Sequence, residues 1–514
     1  MASPMLLKRL LVLPPALRRS FWSSPSRNQQ ALPEIYDVVC VGGGPAGLSF
    51  VSALKVHPAT RHLKIALIDS QQLKAARGQD ETLFSNRCSS LTPSSVRFLR
   101  NIGAWNHIDE SRTAPYHVMD VWDGVSGSKI HFNPADDQSF GIADALAMLV
   151  PGNRFSGGRK PYTTDASGEI IATMCENTNL TTALLERLRG GDAAKLTTMD
   201  STKVDSIELG PTPESEEALD LSLWPVVTTS QGQIAARLLV GADGANSPVR
   251  QFADIPSPGW DYNQHGVVAT LDVDQSFSQH DLRTAYQRFL PTGPIALLPL
   301  PNKKASLVWS NTVQNASKLK QLAPDAFVAM VNAAFRLLPA DIDYMLEHTD
   351  PSQLVSEVSW RISNTTASET GMPSTLPQAI GVQNNTAASF PLKMRHASTY
   401  TGHRVALVGD AAHTMHPLAG QGLNLGLADA EALAKKIVYG VEHGMDIGSC
   451  WCLDGYNSER WAANNAMLGV VDKLQKLYGV SSGPVVWGRT LGLEIVNRLG
   501  PLKGALMGAA AGSR

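Results

Sequence analysis

Residues 404–424 read Arg-Val-Ala-Leu-Val-Gly-Asp-Ala-Ala-His-Thr-Met-His-Pro-Leu-Ala-Gly-Gln-Gly-Leu-Asn, and this stretch decides the fold of the chain. An apolar strand delivers Asp410 at its carboxyl end, and a Gly/Pro-rich loop then opens a helix near Gly422. The free N–H groups at a helix N-terminus attract polar and anionic groups. The pattern therefore predicts a binding site for a polar ring system.

A glycine-rich turn roughly 360 residues earlier carries the other half of the pattern. It follows the apolar run Ile35–Val41 and precedes a segment with helical spacing, and the next apolar run ends at Asp69. In a βαβ unit of this kind the glycines permit a tight turn and close approach of a pyrophosphate, while the acid accepts hydrogen bonds from ribose hydroxyls. The residues predicted to contact the pyrophosphate are Gly42, Gly44, Pro45, Ala46 and Gly47. Two distant segments thus converge on one dinucleotide, and the sequence predicts bound FAD.

The composition is that of a folded protein without an excess of positive charge. The chain has 514 residues and a mass of 55.1 kDa, which is enough for two packed domains. Its formal net charge is -2, so we expect no nucleic acid partner. No uncharged apolar run reaches the roughly 18 residues that a membrane-spanning helix requires. Any contact with a membrane would therefore be peripheral.

The first thirty residues differ from the rest of the chain. Residues 1–30 combine Lys, Arg, Leu and Ser and contain neither Asp nor Glu. This composition is typical of a mitochondrial targeting segment, and a disordered basic tail is the alternative. The five cysteines form no C-x-x-C pair, which fits a reducing compartment such as the mitochondrial matrix.

The order of predicted elements indicates two domains and a helical end. Strands at Lys64–Asp69 and Arg237–Asp243 belong with the nucleotide-binding turn, whereas residues 256–392 are rich in strands and loops. Within that region we predict one helix at Asp325–Leu338 and a strand at Val355–Trp360. The predicted division is a targeting segment at 1–30, an FAD-binding domain at 31–115, 171–255 and 393–445, a substrate domain at 116–170 and 256–392, and a helical C-terminal region at 446–514.

A third motif lies between the other two. Asp243 and Gly244 end a strand, and a polar turn leads to Arg250 at the start of the next helix. The three motifs occur in the order seen in aromatic-ring flavoprotein hydroxylases of the para-hydroxybenzoate hydroxylase fold, and the chain resembles that family. The resemblance implies an α/β fold in which a Rossmann-like FAD-binding domain carries an inserted β-rich substrate domain and a helical C-terminal region.

Further segments narrow the resemblance to the ubiquinone-biosynthesis hydroxylases. Asn86–Trp105 is similar to their segment in which an arginine, here Arg87, reaches the cofactor, and Ser389–Leu392 resembles their strand that leads back to the flavin. Residues 456–465 resemble the mitochondrial branch of the family. The resemblance implies an FAD-dependent monooxygenase of ubiquinone biosynthesis. Such an enzyme hydroxylates a polyprenylated phenol or hydroxybenzoate, at ring C5, through a flavin C4a-hydroperoxide formed with O2.

The resemblance also implies roles for residues of the three motifs. Asp410 would bind the ribityl chain, and the helix that begins near Gly422 would direct N–H groups at the pyrimidine edge of the flavin, where negative charge develops. The loop adjacent to the flavin would consist of Pro417, Leu418, Ala419 and Gly420. Further cofactor contacts would be Asp69, Arg87, Asp243, Gly409, Asp410, Gly420, Gln421, Gly422 and Asn424. We assign no catalytic base, because flavin and substrate perform the difficult step, and no metal, because His413 and His416 lack further ligands.

The sequence leaves the electron donor open. It contains one glycine-rich nucleotide fingerprint, yet relatives of this fold bind NADPH transiently without a second one. The resemblance implies reduction by a ferredoxin and its reductase, peripheral attachment to the inner membrane on the matrix side, and association with other ubiquinone-biosynthesis proteins in a complex. The alternatives are another FAD oxidoreductase of the same fold, such as an NADPH-dependent aromatic hydroxylase or a prenyl reductase, and a mainly structural subunit of that complex.

Overall fold

The structure, a computed structural model, describes residues 33–75, 80, 82–133, 170–190, 195–212, 220–274, 284–416, 420–484 and 486–489. The predicted targeting segment at 1–30 lies outside these residues, as do residues 134–169 of the predicted substrate domain and the end of the chain from residue 490. Three members of the predicted flavin-adjacent loop, Pro417, Leu418 and Ala419, also lie outside them. No helix in the described ranges is long and apolar enough to cross a membrane.

The described residues form twenty strands and eleven α-helices. The strands are β1 (Glu34–Val41), β2 (Ile65–Ile68), β3 (Cys88–Leu91), β4 (Thr113–Tyr116), β5 (Val118–Asp123), β6 (Lys129–Phe132), β7 (Ala172–Glu176), β8 (Leu196–Met199), β9 (Val204–Leu209), β10 (Pro225–Thr229), β11 (Gly232–Gly241), β12 (Gly259–Val273), β13 (Thr284–Leu290), β14 (Gly293–Leu300), β15 (Lys304–Thr312), β16 (Ala379–Val382), β17 (Ala388–His396), β18 (Thr401–Gly402), β19 (Val405–Leu407) and β20 (His413–Thr414). The helices are α1 (Pro45–Val56), α2 (Pro93–Asn101), α3 (Asn177–Gly190), α4 (Pro248–Phe252), α5 (Val313–Gln321), α6 (Pro324–Arg336), α7 (Pro339–His348), α8 (Leu354–Asn364), α9 (Ala367–Thr370), α10 (Gly422–Glu442) and α11 (Cys450–Tyr478).

An eight-stranded sheet forms the nucleotide-binding half of the molecule. Its order is β18-β19-β11-β1-β2-β8, and β10 and β9 continue from β11 by antiparallel pairing. Strand β1 runs parallel to both β2 and β11, and α1 connects it to β2. Positions Val38 to Val41 are all buried, which is the pattern of a strand inside a parallel sheet covered on both faces. The predicted βαβ unit is therefore present.

A nine-stranded sheet forms the second half. Its order is β20-β17-β12-β15-β14-β13-β5-β6, with β16 paired to β12. One face is covered by helices α5 to α8, whose apolar residues share a buried cluster with Trp122, Leu307 and Trp309 of the sheet. This core is separate from that of the nucleotide-binding half. The β-rich inserted region predicted from the sequence therefore exists, with a helical layer in addition.

The connection between β15 and β16 corrects two predictions. We predicted one helix there, and α6 lies at that position, but α5, α7, α8 and α9 are helices as well. The strand predicted at Val355–Trp360 is wrong, because these residues lie within α8. Leu354, Val358 and Ile362 recur every fourth residue and pack one helical edge into the core of this half. The apolar residues of this segment therefore follow the helical period.

Two smaller elements join the halves. A three-stranded sheet, β3-β7-β4, packs against the nine-stranded sheet through a cluster that includes Tyr116, Met174 and Ala285. Helix α11 packs on α10 and reaches Phe289 of β13 through Val471. The architecture confirms the predicted α/β fold class with its helical C-terminal region. The domain boundaries stay a prediction, and β20, from a segment assigned to the FAD-binding domain, pairs with β17 of the other sheet.

Candidate active site

The turn between β1 and α1 has room for a Cβ atom at Gly44 but not at Gly42 or Gly47. Gly42 has a φ of +110°, and a Cβ there would lie 2.2 Å from the carbonyl oxygen of Ala242. A Cβ on Gly47 would lie 2.1 Å from the carbonyl oxygen of Gly42. A Cβ on Gly44, by contrast, would have no neighbouring atom of the described residues within 4 Å. Gly44 thus opens onto space at the N-terminus of α1, where Pro45 and Ala46 begin the helix.

Asp69 lies directly after β2 and holds the glycine-rich turn in place. Its Oδ2 accepts the backbone N–H of Gly43 at 2.6 Å, and its Oδ1 accepts the backbone N–H of Gln71 at 2.7 Å. Each carboxylate oxygen can accept a second hydrogen bond. Asp69 therefore fixes the turn and keeps acceptor capacity for a ribose hydroxyl.

The Asp410 turn meets the glycine-rich turn at one edge of the sheet. Strand β19 runs parallel to β11, which is the neighbour of β1, so the carboxyl ends of all three strands emerge on the same side. Gly409 has a φ of +61°, and a Cβ there would lie 3.2 Å from the Cβ of Ala46. Asp410 is exposed at this edge of the sheet. Two segments far apart in sequence therefore adjoin.

The third motif is bound to the Asp410 turn by an arginine. The guanidinium of Arg250 donates to the carbonyl oxygens of Ala411 and Ala245, both at 2.7 Å. Asp243 accepts the backbone N–H of Val249 through Oδ2 at 3.2 Å, whereas its buried Oδ1 has no hydrogen-bond partner among the described residues. Burial also raises the pKa of Asp243. An acceptor that is buried and unsatisfied is a feature that a bound ligand would relieve.

The N-terminus of α10 lies beside these turns. Gly420 has a φ of +59°, and Gln421 precedes the first helical residue, Gly422. The first N–H groups of a helix lack intrahelical acceptors and carry the positive end of the helix dipole. Helix α10 packs along α1, so the two helix N-termini belong to one region. Arg87 is exposed on the loop that precedes β3.

Asn424 is engaged by the protein itself. Its Oδ1 accepts the backbone N–H of Thr92 at 3.0 Å and the hydroxyl of Ser95 at 2.8 Å. Its Nδ2 donates to the carbonyl oxygen of Ser90 at 2.8 Å. The side chain therefore attaches the start of α10 to β3 and α2. The role of Asn424 as a cofactor contact stays a prediction.

A buried carboxylate that the sequence analysis missed lies against the Asp410 turn. Asp429 of α10 is 0% exposed. Its Oδ2 accepts from His413 Nε2 at 2.6 Å and from the backbone N–H of Gly409 at 3.2 Å. Its Oδ1 accepts from Arg460 Nε at 2.8 Å and from Asn464 Nδ2 at 3.0 Å. One carboxylate thus joins the turn, α10 and α11.

The charges in this cluster favour ionised Asp429. Burial acts to raise the pKa of the carboxyl group, but His413 and Arg460 outweigh burial and hold the pKa below its usual range. His416, three residues after His413, instead packs edge-on against Tyr262, and burial lowers its pKa to about 4. The two histidines therefore have separate surroundings. No group of three or more potential ligands in the described part of the chain is placed to hold a metal ion.

A signal for this carboxylate was present in the sequence. Asp429 lies in the largely apolar segment Leu423–Ala430 of a predicted helix, and aspartate is seldom buried on such a face unless it is paired. Its partners Arg460 and Asn464 are 31 and 35 residues away, and no spacing rule connects them.

Known proteins similar to this chain decide the family. A family model described as an FAD binding domain matches residues 35–470. The chain is 37% identical over 501 residues to the mitochondrial ubiquinone biosynthesis monooxygenase COQ6 of Saccharomyces cerevisiae, covering 94% of this chain and 95% of that protein. It is 35% identical over 491 residues to COQ6 of Homo sapiens, covering 95% and 94% respectively. The chain belongs to the COQ6 family.

Solved structures agree with the fold of this COQ6-family chain. The p-nitrophenol 4-monooxygenase PnpA from Pseudomonas putida superimposes with a TM-score of 0.60 at 16% identity, covering 94% of this chain and 100% of that one. PqsL from Pseudomonas aeruginosa, described as a probable FAD-dependent monooxygenase, gives 0.57 at 19% identity, covering 90% and 100%. At these identities the likeness shows the fold alone.

The family and the geometry agree on the cofactor. As a member of the COQ6 family with an FAD-binding domain, the chain is an FAD-dependent monooxygenase. The open space at Gly44, the Oδ1 of Asp243 without a partner among the described residues, and the helix N-terminus at Gly422 are features that fit a dinucleotide with a polar ring. The prediction of FAD is confirmed.

Proposed function

We propose that this COQ6-family enzyme hydroxylates the aromatic ring of a polyprenylated phenol or hydroxybenzoate, at ring C5, in mitochondrial ubiquinone biosynthesis. The observation that carries the proposal is the convergence of three turns, at Gly42–Gly47, Asp243 and Gly409–Asp410, beside the N-terminus of α10. The named function and compartment of relatives that match over about 94% of the chain support the substrate class and the mitochondrial location.

Each of the three turns would contact a different part of the cofactor. The α1 N-terminus would face the pyrophosphate at Gly44, Asp69 would accept from a ribose, and Arg87 would approach from the loop before β3. Asp410 would accept from the ribityl hydroxyls. The other residues proposed to contact or border FAD are Gly42, Pro45, Ala46, Gly47, Asp243, Gly409, Pro417, Leu418, Ala419, Gly420, Gln421, Gly422 and Asn424.

The chain's own contribution to the reaction is electrostatic and positional. Bound FAD, once reduced, activates O2 for transfer to the substrate ring. The N–H groups near Gly422 would stabilise negative charge on the pyrimidine edge of the ring system, because they are fixed and already oriented. The sheet opposite these N–H groups would hold the substrate ring and exclude water. We assign no residue as a base for the phenol hydroxyl, and the proton displaced from the ring carbon would pass to solvent.

The proposal extends to the electron donor and the surroundings of the enzyme. We assign the electrons to a ferredoxin and its reductase, because the sequence resembles the mitochondrial hydroxylases. We also assign the enzyme to the matrix side of the inner membrane, in a complex with other ubiquinone-biosynthesis proteins.

Anaerobic reduction of the purified holoenzyme tests the donor. The visible flavin band should bleach when ferredoxin, its reductase and NADPH are added together, and should persist with NADPH alone. Rapid bleaching by NADPH alone would contradict the ferredoxin assignment. The variant Asp410→Ala should lose flavin and hydroxylation while the protein still associates with its complex. Unchanged hydroxylation in that variant would contradict the proposed site.

A further inference from the structure

Helices α5 to α8 cover one face of the nine-stranded sheet. A row of side chains crosses the other face. Directly paired residues on neighbouring strands project from the same face, and their chain neighbours project from the other. Trp122 and Trp309 pack against the helices. The adjacent row on the opposite face therefore consists of Val121, Gln287, Ala296, Val308, Val268 and Ala388. Gln287 is the one polar member of this row.

One end of this face leads to the start of α10. Ala285, two residues before Gln287 on the same face, packs in a cluster with Tyr116. The Tyr116 hydroxyl lies 2.7 Å from Ser90 Oγ. A Cβ on Gly420 would in turn lie 3.7 Å from the Cβ of Ser90. These neighbours therefore connect this face of the sheet to Gly420, two residues before α10.

The other end leads to the strand that follows the Asp410 turn. Phe289, two residues after Gln287, stacks on Tyr478 with 3.9 Å between ring centroids. The same cluster includes Val121 and Met415. Met415 directly follows β20. One neighbour of Gln287 on this face thus leads to Met415, and the other leads to Gly420. Met415 and Gly420 flank the segment predicted to adjoin the flavin.

The side chain of Gln287 is largely buried and has no hydrogen-bond partner among the described residues. The residue is 5% exposed. Another buried amide of the same half is fully paired: Asn332 donates to the carbonyl oxygen of Ala379 at 2.8 Å and accepts the N–H of Ala379 at 3.1 Å. Buried polar groups usually have a partner, so Gln287 is one that a ligand would satisfy.

We propose that the Gln287 amide binds the hydroxyl of the substrate's aromatic head group, an inference that rests on the proposed function. An amide offers both a donor and an acceptor, so it can pair with a phenol in either sense. The surrounding row is apolar and suits an aromatic ring. The charged side chain on the adjoining row, Asp123, is already held by Arg489 at 2.9 Å. The head group recognised here is therefore an uncharged phenol, bound by hydrogen bonding and not by an ion pair.

The test compares two ligands on two variants of the FAD-loaded enzyme. The ligands are 2-geranylphenol and geranylbenzene, which lacks the hydroxyl, and the dissociation constant Kd is read from perturbation of the flavin absorption band. The wild-type enzyme should bind the phenol more tightly. Gln287→Leu should weaken binding of the phenol by about 3- to 10-fold, the effect of one neutral hydrogen bond, and leave geranylbenzene unchanged or slightly tighter. The control Gln233→Leu, at an exposed glutamine of β11, should change neither value.

A stability measurement separates recognition from a structural role. Because the largely buried side chain of Gln287 makes no hydrogen bond with the described residues, Gln287→Leu should leave the thermal midpoint of the FAD-free protein unchanged or raise it. Equal binding of the phenol by wild type and Gln287→Leu would overturn the inference and leave the proposed function standing. A large loss of stability in Gln287→Leu would also overturn it. Failure of the FAD-loaded wild type to bind 2-geranylphenol at all would overturn the proposed function together with this inference.

Discussion

Replacing Asp429 by asparagine tests whether the buried carboxylate positions the Asp410 turn. The substitution keeps the shape of the side chain but removes the charge that faces His413 and Arg460. Arg460 is 6% exposed and would be left as a buried cation without its counter-ion. Removing one partner of a buried ion pair costs about 3 to 5 kcal/mol. That is a large part of the roughly 5 to 15 kcal/mol that usually stabilises a folded protein.

A second effect should appear in cofactor affinity. The N–H of Gly409 donates to Asp429 at 3.2 Å, and a hydrogen bond to a charged acceptor contributes about 1.5 to 3 kcal/mol. If that bond orders the turn for FAD, its loss should raise the Kd for FAD by roughly 10- to 100-fold. The assays are the urea midpoint of the FAD-free protein and titration of that protein with FAD, followed by quenching of flavin fluorescence.

The matched control is Asp261→Asn. Asp261 also faces two cations, Lys393 and Arg395, but its side chain is 46% exposed. Exposed pairs contribute about 0.2 to 1 kcal/mol, so the control should barely move the urea midpoint and should leave the Kd for FAD unchanged. Equal destabilisation by the two variants would refute the reasoning about burial. A destabilised Asp429→Asn with normal FAD affinity would refute the positioning role.

Three further predictions concern other parts of the structure. Gly44→Ala should leave the FAD-free protein as stable as wild type but weaken FAD binding, whereas Gly47→Ala should unfold the protein at lower temperature because its Cβ would lie 2.1 Å from a backbone oxygen; equal thermal midpoints would contradict this. The pKa of His416 is about 4 in the folded protein and about 6.5 in the unfolded chain, so protonation of this residue favours the unfolded state. The neutral form should therefore add on the order of 3 kcal/mol to the free energy of unfolding. This contribution should be complete above pH 6.5 and disappear as the pH falls toward 4. His416→Gln should flatten that part of the stability profile, and an unchanged profile would contradict the assignment. Arg489→Leu should lower the urea midpoint by the equivalent of about 3 to 5 kcal/mol, because it leaves the buried carboxylate of Asp123 unpaired; a midpoint within error of wild type would contradict this.

Elements that depend on local pattern could be predicted from the sequence. The turn at Gly42–Gly47 follows a buried strand and precedes a helix, and both neighbours are identified by periodicity within a few residues. The same locality explains one error. Val355–Trp360 is a short segment whose Val and Trp residues favour a strand, and the four-residue recurrence of Leu354, Val358 and Ile362 is visible only in a longer window.

Features that depend on distant pairing could not be predicted. Asp429 is recognisable as an unusual acid in an apolar helix, but its contacts with Arg460 and Asn464 depend on how α11 packs on α10. Gln287 carries no motif at all. Its position becomes informative only when the register of β5, β13 and β14 places it among apolar neighbours.

A single turnover with labelled oxygen tests the central claim most directly. The holoenzyme is reduced chemically without oxygen, mixed with 2-geranylphenol, and exposed to ¹⁸O2, so that the result does not depend on the identity of the electron donor. We predict a ring-hydroxylated product that carries one ¹⁸O atom, in an amount approaching that of the flavin. Reoxidation of the flavin with hydrogen peroxide as the main product and no label in the ring would contradict the account.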